Sequence, residues 1–222
     1  MLYTILRNGF HNPITLITGI FASLFVVFCT MPVHECAHAF MANRLGDSTA
    51  RLSGRMSLNP MRHIDPMGAV MLVLIGFGYA KPVPVNPRNF KNPKAGMALT
   101  ALAGPGANLL MAVVFIFLQN LVGMLPASNV LASAVYTFLL YAAIINLQLA
   151  VFNLIPIPPL DGSRLLQLLI PSKYYYKFLR YERYIVLVVF LLLFLGVLSG
   201  PISEAVLWLY EKLDFIIGFP FR

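Results

Sequence analysis

Long apolar runs alternate with short basic segments along this chain. Residues 14–31 carry no charged side chain, and residues 95–121 and 130–154 are almost as apolar. A helix needs about 20 apolar residues to cross a bilayer. The pattern therefore predicts three transmembrane helices. The first helix should continue past its apolar part to Leu45, with Gly46 as its stop.

A shorter apolar run, residues 67–80, is only fourteen residues long. It lies between two basic segments, residues 44–63 and 81–94. A full crossing would put these segments on opposite sides of the membrane, whereas a re-entrant course would put both on the cytoplasmic side. Its shortness favours the re-entrant interpretation, and a spanning segment is the alternative. The Asn-Pro and Pro-rich flanks predict turns and extended backbone rather than helix.

The C-terminal part of the chain contains two more apolar segments. Residues 184–198 predict a fourth span, which follows a basic region at residues 164–183. Residues 202–217 contain Glu204 and Glu211 and predict a helix that is either interfacial or short-spanning.

The composition supports a membrane protein. Of the 222 residues, 59% are hydrophobic and 11% are charged, compared with about 25% charged in soluble domains. This excludes a soluble enzyme, a disordered chain and a disulfide scaffold. The net charge of +8 comes from basic residues between apolar runs, which indicates membrane anchoring rather than nucleic-acid binding. We expect an all-α polytopic membrane protein of a single domain, residues 1–222, with a core at about 14–170 and accessory helices at about 180–218.

The first chemical signal is HECAH at residues 34–38. On a helix, His34 and His38 share one face, so both imidazoles can reach one ion. Glu35 lies about 100° around the helix, where it can reach a metal-bound water. This spacing is typical of zinc peptidases. Two unrelated helix-face histidines are the alternative, but ionisable groups in an apolar helix are costly and usually functional.

A zinc site of this kind needs a third protein ligand. The chain has eight acidic residues, and most of them lie in turns or among basic residues. Asp161 differs, because it follows a proline-broken span and precedes Gly162, which permits an unusual turn. The alternative role for Asp161 is to cap the helix that follows.

Together these motifs resemble the site-2 protease family of intramembrane zinc metalloproteases, in its compact prokaryotic branch without a PDZ domain. The matching stretches are HECAH, GRMSLNPMRHIDPMG, GYAKPVPVNPRNF, ALAGPGANL and NLIPIPPLDG. They cover roughly residues 15–170.

The resemblance implies a three-helix catalytic core that binds one Zn²⁺ per chain through His34, His38 and Asp161. It implies that Glu35 is the general base and that Asn153 contacts substrate or the oxyanion. Anti-sigma factors and other single-span regulators are the substrates that the family suggests.

Three further polar residues are weaker candidates for contact with substrate or oxyanion. Asn108 lies within the AGPGAN stretch, where Gly104 and Gly106 predict close helix packing. Asn108 and Asn146 can equally make buried side-chain hydrogen bonds. His63 can line or gate a polar cavity, or it can hold its loop.

The sequence therefore predicts a multi-pass zinc endopeptidase of the cell membrane, with its active site towards the cytoplasm. Its partners would be a transmembrane protein substrate and membrane lipid, with no nucleic acid, and the sequence leaves the oligomeric state open. Two other functions fit part of the pattern: a non-catalytic zinc-binding scaffold of the same fold, and a metal transporter. A transporter should place polar sites through the membrane, and the later spans offer few.

Overall fold

The computed structural model describes residues 13–65, 81–126 and 129–221, and every regular element within these ranges is a helix. The order of the helices is α1 (Pro13–Phe25), α2 (Met31–Arg44), α3 (Thr49–Leu52), α4 (Pro93–Gly123), α5 (Val130–Asn153), α6 (Leu166–Leu169), α7 (Ser172–Leu179), α8 (Glu182–Phe194) and α9 (Ser199–Gly218). A π-helical turn, Val26–Thr30, joins α1 to α2 without a break.

The three predicted core spans are confirmed. Within the described ranges, three helices are long and apolar enough to cross a membrane: Thr15–Arg44, Pro93–Gly123 and Val130–Leu154. Asparagine side chains begin two of them. Asn92 accepts a hydrogen bond from the backbone of Ala95, and Asn129 accepts one from Ala132. These caps satisfy donors that the first helical turn leaves unpaired.

Small side chains let the core helices approach each other closely. Ile116 on α4 packs in a buried cluster with Leu139, Ala142 and Ala143 on α5. Ala22 of α1 is fully buried in a second cluster with residues of α5. In a membrane, where lipid removes much of the hydrophobic drive between helices, such close contact supplies much of the packing energy.

The predicted fourth span is wrong. Helix α8 has 13 residues and is therefore about 20 Å long, against about 30 Å for the hydrocarbon core. It stops because Gly196 adopts a φ of +75° just beyond its end, a conformation in which glycine commonly ends helices. Helix α9 then packs Ile202 and Val206 against α4 and α5.

The predicted re-entrant segment, residues 67–80, lies outside the described residues, but its two flanks meet. The backbone N–H of Lys81 donates to the carbonyl of His63 at 2.8 Å. The Arg55 guanidinium donates to the carbonyls of Arg62 and Pro82. The two basic segments therefore lie side by side at one end of the bundle.

Asp47 joins the chain segments at this end of the molecule through hydrogen bonds. Its fully buried carboxylate accepts hydrogen bonds from Thr49, from the backbone N–H of Asn86 at 2.7 Å and from the Asn89 amide at 2.7 Å. Burial alone would raise the pKa of Asp47, but these donors hold that pKa below its ordinary value. Gly46 has a φ of +111°, and a Cβ there would lie 3.1 Å from the Asn89 carbonyl oxygen. The end of α2 is thereby tied to the start of α4.

Candidate metal centre

Three side chains from distant parts of the chain converge on one point. His34 Nε2 lies 3.0 Å from His38 Nε2. Asp161 Oδ2 lies 3.4 Å from the first nitrogen and 3.2 Å from the second. Burial would raise the pKa of Asp161, but the two imidazoles lower it below its ordinary value, so the group is a carboxylate.

The geometry fits a zinc ion. Ligand atoms placed about 2.0–2.1 Å from a tetrahedral zinc ion lie about 3.3 Å apart, close to the three distances found here. The chemistry also fits. His38 Nδ1 lies 2.7 Å from the Thr100 carbonyl oxygen and donates to it, so Nε2 of the neutral ring is an acceptor. Two imidazole nitrogens and one carboxylate oxygen are a donor set that zinc commonly takes.

Gly104 on α4 makes room for both imidazoles. A Cβ on this residue would lie 2.3 Å from His38 Nε2 and 2.6 Å from His34 Cε1. The bare backbone of α4 therefore forms one wall of the site. Gly106 has no atom within 4 Å of its Cβ position. The predicted close packing is confirmed for Gly104 and wrong for Gly106.

The turn that carries Asp161 is packed directly on the end of α5. It is a 3₁₀ helix, Asp161–Arg164, in which no side chain caps the N-terminus, so Asp161 does not take the capping role. A Cβ on Gly162 would lie 2.3 Å from the Leu154 carbonyl oxygen. Gly162 is not among the glycines with positive φ. Its role is close approach, and the predicted need for an unusual backbone conformation is wrong.

A π-helical turn immediately precedes the HECAH motif. In this turn the Thr30 hydroxyl donates to the Val26 carbonyl. Such turns occur frequently at functional sites, because one extra residue changes which face of the helix the next side chains occupy. Glu35 follows in the first turns of α2, between the two histidines in sequence, and is 9% exposed.

None of the other predicted residues is among the three converging side chains. Asn108 is buried on α4, one turn beyond Gly104, and its Oδ1 has no partner among the described residues. Asn146 donates to the Ala142 carbonyl, and Asn153 donates to the Leu149 carbonyl. The Nε2 atom of His63 lies 2.6 Å from the Ser57 carbonyl oxygen, a contact that favours the loop-holding alternative.

Sequence reasoning missed two polar contacts, one at the centre and one at the basic end of the bundle. The Thr100 carbonyl belongs to the backbone, which carries no residue-type signal. Asp47 looked like an ordinary turn residue, although the Gly46–Asp47 pair and the later Asn-Pro-Arg-Asn stretch are a pattern that could have drawn attention to it.

Comparison with known proteins gives a consistent result. A family model described as peptidase family M50 matches residues 118–196. "Putative zinc metalloprotease YwhC" of Bacillus subtilis is 38% identical over 203 residues, which cover 89% of this chain and 88% of that protein. "Putative zinc metalloprotease Rip2" of Mycobacterium tuberculosis is 30% identical over 197 residues, which cover 81% and 69% of the two chains. No solved structure matches the chain. The chain therefore belongs to peptidase family M50, the site-2 protease family.

Proposed function

We propose that this protease is an intramembrane zinc endopeptidase. It would hydrolyse peptide bonds in or near the transmembrane segments of other proteins, in regulated intramembrane proteolysis. The observation that carries this proposal is the position of the three converging side chains. His34 and His38 belong to the span Thr15–Arg44 and lie ten and six residues before its end, or roughly 15 and 9 Å along the helix.

One Zn²⁺ per chain, held by His34, His38 and Asp161, would supply a water of lowered pKa and would polarise the scissile carbonyl. Glu35 accepts a proton from the attacking water and delivers it to the leaving amine. Thr100 orients His38 through its carbonyl, which fixes the ring tautomer and directs the Nε2 lone pair to the site.

Amide side chains can bind the substrate backbone. Asn153 uses one N–H of its amide within its own helix, and its second N–H can donate to the oxyanion. The Oδ1 atoms of Asn108 and Asn146 are buried without a partner among the described residues and can accept from substrate N–H groups once a substrate is bound. His63 would support the loop beside the site.

The proposed orientation places the active site towards the cytoplasm in a multi-pass protein of the cell membrane. The two basic segments, residues 44–63 and 81–94, lie together at the end of the bundle where α2 stops. An excess of Lys and Arg marks the cytoplasmic side. Asp161 contacts α2 near that same end.

Zinc content and cleavage, measured together, test the proposal. Wild type, Glu35→Gln and the exposed control Glu204→Gln are purified in detergent, and zinc per chain is measured by mass spectrometry. Each protein is then incubated with a panel of single-span substrates. We expect about one zinc in all three proteins and cleavage by all except Glu35→Gln.

The other candidate functions predict different results. A non-catalytic scaffold would bind zinc, and any cleavage seen with wild type would remain in the Glu35→Gln variant. A transporter would move zinc across the membrane of proteoliposomes, and the Glu35→Gln variant would still transport zinc. A wild-type protein without zinc would overturn the ligand assignment itself.

A further inference from the structure

A basic face lies on α7, just after the turn that carries Asp161. Lys173, Lys177 and Arg180 are all exposed. They are four and three residues apart, so they project from one side of the helix and of the turn at its end. The sequence contains no acidic residue between Asp161 and Glu182. Lys173 and Lys177 therefore have no carboxylate within four residues along the chain, whereas Arg180 has Glu182 two residues away.

Aromatic side chains flank the basic face. Tyr174 is 61% exposed and Tyr181 is 54% exposed. On the opposite side of α7, Tyr175 is buried, and its hydroxyl lies 3.5 Å from the Arg164 guanidinium. The helix is thus held against the body of the protein through one tyrosine, while the two others point outward. Tyrosine is enriched at the level of lipid headgroups, where its ring is apolar and its hydroxyl is hydrated.

The chain on either side places this face at a membrane surface. Helix α5, one of the three candidate spans, ends at Asn153, and the apolar helix α8 begins at Glu182. Leu187 and Val188 of α8 are exposed apolar side chains, which can lie beside the acyl chain of a bound lipid. Positive charge, exposed tyrosines and an adjoining apolar surface together match a phospholipid better than a soluble anion.

We propose that anionic phospholipid headgroups bind the face formed by Lys173, Lys177 and Arg180, flanked by Tyr174 and Tyr181. Basic residues near an anionic surface each add to the attraction, and we expect the three together to favour an anionic headgroup over a zwitterionic one by at least about tenfold in affinity. The site is independent of the proteolytic reaction.

Native mass spectrometry of the full chain tests this proposal. The protein is exchanged from detergent into mixtures of phosphatidylglycerol and phosphatidylcholine, and the retained lipids are identified. The test variant carries Lys173→Gln, Lys177→Gln and Arg180→Gln. The matched control carries Lys81→Gln, Arg88→Gln and Lys91→Gln, which remove the same charges from exposed positions at the same end of the bundle. Unchanged zinc content shows that both variants are folded.

We expect wild type and the control to retain phosphatidylglycerol over phosphatidylcholine, and the test variant to lose about tenfold of that preference. Equal retention by all three proteins would overturn the proposal, as would a wild type that shows no preference. Binding of an acidic peptide by wild type without phosphatidylglycerol binding would also overturn it, and would make the face a protein-docking surface.

Discussion

Two sets of polar side chains lie buried or half-buried among the apolar helices, and they are built in different ways. In the metal centre, the Nε2 atoms of His34 and His38 and a carboxylate oxygen of Asp161 face one another. Each of these atoms can offer a lone pair to a cation, and for His38 this holds when its Nδ1–H donates to the Thr100 carbonyl. Their mutual distances, all within 4.8 Å, suit ligands that share one cation.

The second set joins α4 to α9, and in it donors face acceptors. The Asn120 amide donates to Asp214 at 2.8 Å, and the Gln119 amide donates to the Tyr210 hydroxyl oxygen at 2.7 Å. Both amide donors thus find an acceptor within the protein, as side-chain hydrogen bonds between membrane helices commonly provide, while Gln119 Oε1 is buried without a partner among the described residues. A buried polar group in a membrane helix therefore indicates a binding or catalytic site when its partner must come from outside the chain.

The largest expected effect comes from removing the carboxylate of the first set. Removing the carboxylate of the second set is the matched control. Asp161→Ala should weaken zinc binding on the order of a thousandfold, because it removes one of three protein ligands. Asp214→Ala should leave zinc affinity unchanged and lower only thermal stability. Competition with a chelator of known affinity measures both variants. Equal zinc affinity in the two variants would remove the distinction between the two sets.

A second test changes the wall of the metal centre without touching a ligand. Gly104→Ala places a methyl group where His38 Nε2 and His34 Cε1 now lie, so the rings must turn away, and we expect about a hundredfold loss of zinc affinity. Gly106→Ala on the same helix meets open space and should leave zinc affinity unchanged. If Gly104→Ala binds zinc like wild type, the imidazoles can move more freely than this packing implies.

A third test removes the charge of Asp47, whose carboxylate accepts hydrogen bonds from Thr49, Asn86 and Asn89 at the basic end of the bundle. Asp47→Asn should lower the free energy of unfolding by about 2 kcal/mol near pH 7, because a carboxylate accepts stronger hydrogen bonds than an amide. The folded-state pKa is lowered. The carboxylate therefore contributes fully above its ordinary pKa of about 4, and this contribution is lost as the pH falls through the folded-state value.

Thermal unfolding in detergent at several pH values measures this effect. The exposed residue Glu204 provides the control, since Glu204→Gln should change stability little at any pH. A stability difference between wild type and Asp47→Asn that persists unchanged to pH 2 would contradict the assigned role of the carboxylate.

The smallest expected effect is in the second polar set. Tyr210→Phe removes the oxygen that accepts from Gln119 and should cost about 0.6–1 kcal/mol of stability, as expected for a side-chain hydrogen bond between membrane helices. Zinc content should not change. A loss of zinc in this variant would show that α9 supports the metal centre after all.

The sequence predicts best what depends on neighbours along the chain. Three spans follow from uninterrupted apolar runs, because a bilayer requires length and hydropathy and little else. The HECAH spacing places two histidines on one face of any helix. Gly196 is a local signal for the end of α8. The apolar run continues to residue 198 and therefore predicted a longer helix.

The tertiary structure decided what depends on residues far apart in the chain. Asp161 reaches the histidines of α2 because Gly162 lets its turn lie against the end of α5, and Gly104 admits both rings because α4 crosses α2 at that residue. The tautomer of His38 depends on a backbone carbonyl, which every residue type possesses. The sequence by itself therefore predicted the membrane helices and singled out the three side chains of the candidate metal site. Packing between helices decided that Asp161 meets the two histidines and that Gly104 leaves room for their rings, an arrangement that suits one metal ion.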